Sequence, residues 1–154
     1  MFAIVDQDIN PEQLKQLLGH QACGGFVSFE GWVRNHNEGK AVKGLFYEAY
    51  KPLAEKEGNR IISEALEKFD IRLAGCQHRV GELPVGGIAV WVGVSSDHRD
   101  AAFQACRYII DEIKARLPIW KKEQYLNGEA EWVDCRECAR HSYKHLHSEH
   151  QQHR

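Results

Sequence analysis

The sequence predicts an α+β domain, and three observations carry that prediction. Two stretches, 52–69 and 97–117, have helical apolar spacing, whereas the strand-like stretches come in pairs and do not alternate regularly with helices. The length of 154 residues, 43% hydrophobic and 27% charged, suits one domain with a real core. No apolar run approaches the roughly 20 residues that span a bilayer. The start, Met1-Phe2-Ala3-Ile4-Val5-Asp6, lacks the basic and long apolar segments of a secretion signal. A formal charge of −2 excludes a molecule-wide polyanion binder and leaves room for a local basic site.

Taken in order, Asn10-Pro11 is an N-cap followed by a first-turn proline, opening a short helix through Leu14, Leu17 and Leu18. Gly24-Gly25 ends that region. Val27, Phe29 and Val33 then alternate with Phe26, Ser28, Glu30 and Trp32, which predicts a strand. Residues 34–40 form a polar loop, and Leu45 to Tyr50 is the returning strand. After Pro52 a helix carries Ala54, Ile61, Ile62, Ala65, Leu66 and Phe69 on one stripe. Ile71 to Val80 and Ile88 to Val94 are strands separated by a turn region at 81–87, and the second is apolar enough to be central. Ser96 or Asp97 caps the clearest helix, whose stripe is Phe103, Cys106, Ile109, Ile110, Ile113 and Leu117, and Pro118 stops it. Trp120 to Glu123 leads into a turn at Asn127-Gly128, and Trp132-Val133 is a last short strand.

Cys23, Cys76 and Cys106 lie in apolar-patterned segments and read as buried free thiols, which implies the reducing cytoplasm. There is no Gly-x-Ser-x-Gly elbow, no phosphate-cradling Gly-x-x-x-x-Gly-Lys run and no dinucleotide fingerprint. Cations stand out instead. Between His98 and Lys122 there are six Lys or Arg against three Asp or Glu. His98-Arg99 occupies the first turn of a helix, where free backbone N–H groups and the positive dipole end favour an anion. Arg34 ends a strand, Lys114 lies one turn from a helix end, and Lys121-Lys122 follows the rigid Pro118-Ile119-Trp120 corner. A solvated helix face is the plainer reading of any one of these charges.

Four segments taken together make the sequence recognisable: Val33-Arg34-Asn35-His36-Asn37, Arg79-Val80-Gly81-Glu82-Leu83, Val92-Gly93-Val94-Ser95-Ser96-Asp97-His98-Arg99 and Pro118-Ile119-Trp120-Lys121-Lys122-Glu123. From about Gly24 to Arg136 the chain resembles the large, catalytic subunit of molybdopterin synthase. The resemblance implies an α/β-hammerhead fold and a homodimer of large subunits, each binding a small ubiquitin-like partner to make a heterotetramer. That partner carries a C-terminal thiocarboxylate, whose sulfur passes to cyclic pyranopterin monophosphate and builds the dithiolene of molybdopterin. By position, Arg34, His98, Arg99, Lys114 and Lys121 match functional residues, and Arg136 matches a further pocket arginine. Trp32, Val33, Lys122 and Glu123 flank these and are expected to line the pterin pocket, with Lys114 and Lys121 catalytic.

The chemistry suits these residue types. Guanidinium forks and helix N–H groups match phosphate oxygens. An ammonium at the reacting centre stabilises developing negative charge or transfers a proton. The partner brings the sulfur, so the reading needs no cysteine nucleophile, cofactor or metal. His98 and Lys114 are 16 residues apart on one helix, about 24 Å if straight, so a site using both is expected to be shared across a twofold dimer. A non-catalytic phosphate- or pterin-binding module is the alternative; it would use Arg34, His98 and Arg99 but has no need of two lysines elsewhere. Nucleic-acid binding is disfavoured by the pI near 6.5 and by the acidic helix bearing Glu55, Glu57, Glu64 and Glu67.

Residues 1–134 are read as the single domain and 135–154 as a polar, partly disordered tail. Cys135, Cys138, His141 and His145 have the residue types of a zinc site. On one straight helix they span about 15 Å, against zinc bonds of roughly 2.0–2.3 Å, so no metal is assigned.

Overall fold

The computed structural model describes residues 1–137. The tail residues Cys138, His141 and His145 lie outside the described residues. In chain order the elements are β1 (Phe2–Val5), α1 (Pro11–Leu17), β2 (Gly25–Trp32), β3 (His36–Asn37), β4 (Lys40–Ala49), α2 (Lys51–Lys68), β5 (Leu73–Arg79), β6 (Gly81–Pro84), β7 (Ile88–Ser96), α3 (Arg99–Arg116), β8 (Ile119–Tyr125) and β9 (Ala130–Asp134). The α+β prediction holds.

One sheet has the order β1-β5-β7-β2, with β1 parallel to β5 and the other pairs antiparallel. β7 is central, as its apolar run predicts. The helices α2 and α3 cover one face of this sheet, burying Ile61, Ile62, Ala65, Ile109 and Ile113 against Phe2, Ile4, Val90, Val92 and Val94. The second sheet has the order β3-β4-β8-β9, and β6 also pairs with β4. A smaller cluster of Val33, Leu45, Leu83 and Ala89 lies beside it, and Tyr47 packs against both clusters.

Several local expectations are corrected. The strand at Leu45–Tyr50 does not return along β2; it belongs to β4, which pairs with β8 in the other sheet. The loop at 34–40 contains a tight hairpin, because Glu38 and Gly39 adopt φ of 50° and 78° and turn β3 into β4. The turn region at 81–87 includes β6, and the N-terminus forms β1, whose alternating Phe2 and Ile4 are buried. Leu66 on α2 and Phe103 on α3 lie outside their helical stripes, 43% and 60% exposed; on α3 the small residues Ala102 and Ala105 take the buried face with Cys106 and Ile109.

The α1 start matches its reading, with Asn10 Oδ1 accepting from the Gln13 N–H at 3.3 Å. The α3 start does not. His98 is the N-cap and makes no side-chain cap, Ser96 Oγ donates to the His98 carbonyl, and Asp97 is held by Arg72 at 2.5 Å. Cys76 and Cys106 are buried thiols, as read, and Cys23 is half-buried. No described helix is long and apolar enough to cross a membrane.

Candidate active site

The corner at Pro118 joins the last turn of α3, which carries Lys114, to β8, which carries Lys121. Helix α3 ends with the Leu117 N–H bonded to the Ile113 carbonyl, the Tyr50 N–H bonds the Pro118 carbonyl at 3.1 Å, and β8 begins at once. Proline cannot continue the helix, so the chain reverses within two residues. Along β8 side chains alternate between faces. Lys121 and Glu123 share one face with Tyr47 and Leu45, their register partners on β4.

On that face the Lys121 ammonium lies 3.0 Å from Glu123 Oε1, with Glu123 only 5% exposed. Glu123 Oε2 accepts from Tyr125 Oη at 2.5 Å and Asn37 Nδ2 at 2.6 Å. Burial pushes the Glu123 carboxyl up, but the hydrogen bonds from Tyr125, Lys121 and Asn37 outweigh it and the net shift is downward. Glu123 is therefore an ionised clamp for Lys121. Lys122 points the other way, its ammonium 5.8 Å from the Trp132 ring, with Phe46 edge-on to the same ring.

Two residues missed as site residues, His78 and Tyr47, complete this end of the molecule. His78, on β5, is buried, with Nδ1 2.9 Å from the Arg79 carbonyl and its ring edge-on to Tyr47 at 5.1 Å. Burial lowers its pKa to about 4, and the positive charge of Lys114 lowers it further against the opposing hydrogen bond to Arg79. Lys114 is thus an exposed residue whose charge is felt at the His78 ring. The sequence did carry a signal for His78: a polar residue in step with Ala74 and Cys76 on an apolar strand face.

Arg136 and Trp32 flank this end. The Arg136 fork is held by Asp134, with Nη2 2.8 Å from Oδ2, and its guanidinium lies 5.8 Å from the Trp120 ring. Trp32 is 66% exposed and donates through Nε1 to Glu30 at 2.8 Å, and Val33 is buried. Arg34 follows at the exposed end of β2. Trp32 pairs with Ile88 at the start of β7, which is the sheet end that carries His78 opposite Val90.

His98 and Arg99 form a second focus. They line a cavity of about 430 Å³ with Gly24, Asp97, Asp100 and Phe103 at the start of α3. Asp97 there is largely neutralised by Arg72, through Nε at 2.5 Å and Nη2 at 3.0 Å. Gly25 lets β2 pass this turn closely, since a Cβ on it would stand 3.2 Å from Arg99 Cα. About 22 Å of helix separates Arg99 from Lys114, and about 23 Å of strand separates Gly25 from Trp32. Within one chain the fold groups Lys114, Lys121, Glu123 and Tyr47 at one end of α3 and His98 and Arg99 at the other. Arg34 and Arg99 are not brought together. Among the described residues no group of three or more His, Cys, Asp or Glu side chains is placed to hold a metal ion.

Comparison with known proteins gives the family and the fold. The MoaE protein family matches residues 4–116. A molybdopterin synthase catalytic subunit of Thermoplasma volcanium is 45% identical over 129 residues, covering 84% of this chain and 94% of that protein. The crystal structure of molybdopterin synthase from Staphylococcus aureus superimposes with a TM-score of 0.82 at 39% identity, covering 86% of this chain and 96% of that one. A Helicobacter pylori complex of subunits 1 and 2 of molybdopterin-converting factor shares the fold, with a TM-score of 0.69 at 19% identity over 86% of this chain and 88% of that one. These matches establish the lineage of the fold: the chain belongs to the MoaE protein family, whose curated relatives are named molybdopterin synthase catalytic subunits.

Proposed function

We propose that this chain is the catalytic subunit of a molybdopterin synthase, transferring sulfur from the C-terminal thiocarboxylate of a small ubiquitin-like subunit to cyclic pyranopterin monophosphate. The observation that carries the reading is the pair of cationic foci on a family scaffold, His98 and Arg99 at the start of α3 and Lys114 with Lys121 at its end. The two reactants are both anionic and repel each other unless cations hold them.

In this reading the phosphate is bound by Arg99, His98 and the free N–H groups of the first α3 turn. Arg34, Trp32, Val33, Lys122 and Arg136 border the pterin. Lys121, held by Glu123, and Lys114 face the reacting carbon and the thiocarboxylate, where an ammonium stabilises the charge that develops as sulfur is transferred. In each round water cleaves the acyl–sulfur bond, leaving a carboxylate on the partner's tail and one sulfur on the pterin side chain, so two rounds complete the dithiolene.

The distance between the foci favours a homodimer in which one chain's His98-Arg99 meets the other chain's Lys114 and Lys121. With a small subunit on each chain the assembly is a heterotetramer. The buried thiols Cys76 and Cys106 suit a reducing cytoplasm.

The test is reconstitution. The chain, a thiocarboxylated small subunit and the cyclic pterin are mixed and dithiolene product is measured. Product that requires all three is the expected result. Pterin binding with no product under any partner would overturn catalysis in favour of a binding module, and equal product from free sulfide would remove the partner.

A further inference from the structure

The buried Glu123 carboxylate has a partner that does not come from its own strand. Lys121, Glu123 and Tyr125 are alternate residues of β8, so their side chains stand in a row on one face. Lys121 lies 3.0 Å from Oε1 and Tyr125 Oη donates to Oε2 at 2.5 Å, both from within that row. Asn37 comes from elsewhere: its Nδ2 donates to Oε2 at 2.6 Å and lies 3.4 Å from Tyr125 Oη. An ionised carboxylate only accepts, so the amide nitrogen is the atom that faces it.

The hairpin is built to deliver this donor. Glu38 and Gly39 take φ of 50° and 78°, which makes the turn tight and sets Asn37 opposite Lys40. Both side chains then reach the same end of β8. Lys40 pairs with Glu129 at 3.2 Å and lies 5.4 Å from the Tyr125 ring centroid, while Asn37 takes Glu123. The segment before the hairpin has its own anchors. The Val33 N–H donates to the Gly87 carbonyl at 3.0 Å, and the Val42 N–H donates to the Asn35 carbonyl at 2.8 Å. Arg34 lies between these two anchors and does not depend on the Asn37 side chain.

The last torsion of a glutamate is soft, so partners in a row along one strand leave its carboxylate free to rotate. A donor from the side fixes which oxygen faces the lysine. We infer that Asn37 is a positioning residue for Lys121: its amide holds Oε2 of Glu123, which turns Oε1 to the Lys121 ammonium and sets where that charge stands. The inference rests on the sulfur-transfer reading for its purpose, but its geometry can be tested without activity.

Four proteins decide it: the full chain, Asn37→Leu, Glu123→Gln and the double variant, each reconstituted with the thiocarboxylated subunit and the cyclic pterin. Leucine keeps the branched shape of asparagine and removes the donor. Asn37→Leu is expected to lower kcat about 10-fold with KM for the pterin little changed, because Arg34 keeps its own anchors. In the Glu123→Gln background the same substitution should change kcat by less than about 2-fold, since the group it acts through is already lost. A contact of structural value alone would cost the same factor in both backgrounds. That result, or wild-type kcat in a folded Asn37→Leu variant, would overturn the inference. Asn37→Asp, nearly identical in size, replaces the donor by an acceptor and carries the same comparison if the leucine variant does not fold.

NMR of the full chain supplies a readout that needs no turnover. The scalar coupling between the Lys121 ammonium nitrogen and the Glu123 carboxylate carbon, carried across their hydrogen bond, should be present in the wild type and lost in Asn37→Leu. A coupling absent from the wild type, or unchanged by the substitution, would also overturn the inference. If the wild-type protein makes no dithiolene while the coupling is lost in Asn37→Leu, the sulfur-transfer reading fails and the positioning of Lys121 by Asn37 stands.

Discussion

Lys121 and Glu123 form an ion pair of 3.0 Å on one face of β8, and the carboxylate is buried and further held by Tyr125 and Asn37. Adjacent alternate positions on a strand make this pairing local, whereas Asn37 reaches it from a hairpin 86 residues earlier.

Glu123→Gln is expected to lower turnover by about 10-fold or more while leaving the fold intact, because the amide keeps the shape and loses the charge that orients Lys121. Lys121→Ala should cost more, about 10²–10³ in rate, as for loss of a group that stabilises developing charge. Steady-state kinetics of both variants checks the order. Equal activity of Glu123→Gln and wild type would remove the clamp from the mechanism.

Lys114→Ala should abolish sulfur transfer by a similar factor with little change in unfolding midpoint. The side chain is exposed and alanine favours a helix, so neither packing nor propensity is lost. Kinetics together with urea unfolding separates the two effects.

Mixing His98→Ala and Lys114→Ala chains tests the shared site. After dissociation and random reassociation, half the dimers are heterodimers with one intact site each, so about a quarter of wild-type activity should return. Heterodimers demonstrably formed but inactive would place each site within one chain.

Gly58→Ala should destabilise the protein by about 1–3 kcal/mol, although alanine improves helix propensity by roughly 1 kcal/mol. A Cβ at Gly58 would sit 2.2 Å from Phe2 Cδ1 and 2.3 Å from Cγ, and the buried ring cannot move because Asn59 holds the Phe2 backbone at 2.9 Å. Thermal unfolding of the variant measures the balance.

Stability should fall in two separate acid windows. Burial lowers the His78 pKa to about 4, below its ordinary 6.5, so the unfolded chain takes up a proton first and stability drops from pH 6.5 to about 4. The full drop is about 3 kcal/mol. Hydrogen bonds from Arg116 and then Tyr108 hold the Glu64 carboxyl down to about 2, so its contribution is whole above pH 4.5 and lost as pH falls toward 2. Urea unfolding against pH should show the first window removed in His78→Phe and the second in Glu64→Gln, each leaving the other in place.

The elements that were legible in the sequence are those decided by neighbours along the chain. The long helices follow from i, i+3, i+4 spacing, the α1 start from Asn10-Pro11, and the central place of β7 from its unbroken apolar run. The opposite facing of Lys121 and Lys122 follows from strand alternation alone. The motif order around Arg34, His98, Lys114 and Lys121 was enough to name the family. What stayed hidden depends on long-range pairing. Nothing near Leu45 says that its partner is Glu123 on β8 rather than β2, nor that Gly81–Pro84 adds a strand to β4. Phe103 was misplaced because periodicity defines a stripe about 100° wide, and the tight fit of Ala102 and Ala105 against the sheet chose its edge. His78 reads as one polar residue in an apolar strand until β4 brings Tyr47 against its ring and α3 ends with Lys114 nearby. Side-chain type and local period are properties of the chain; which groups meet is set by burial of both sheets and helices at once, and that exists only in the folded molecule.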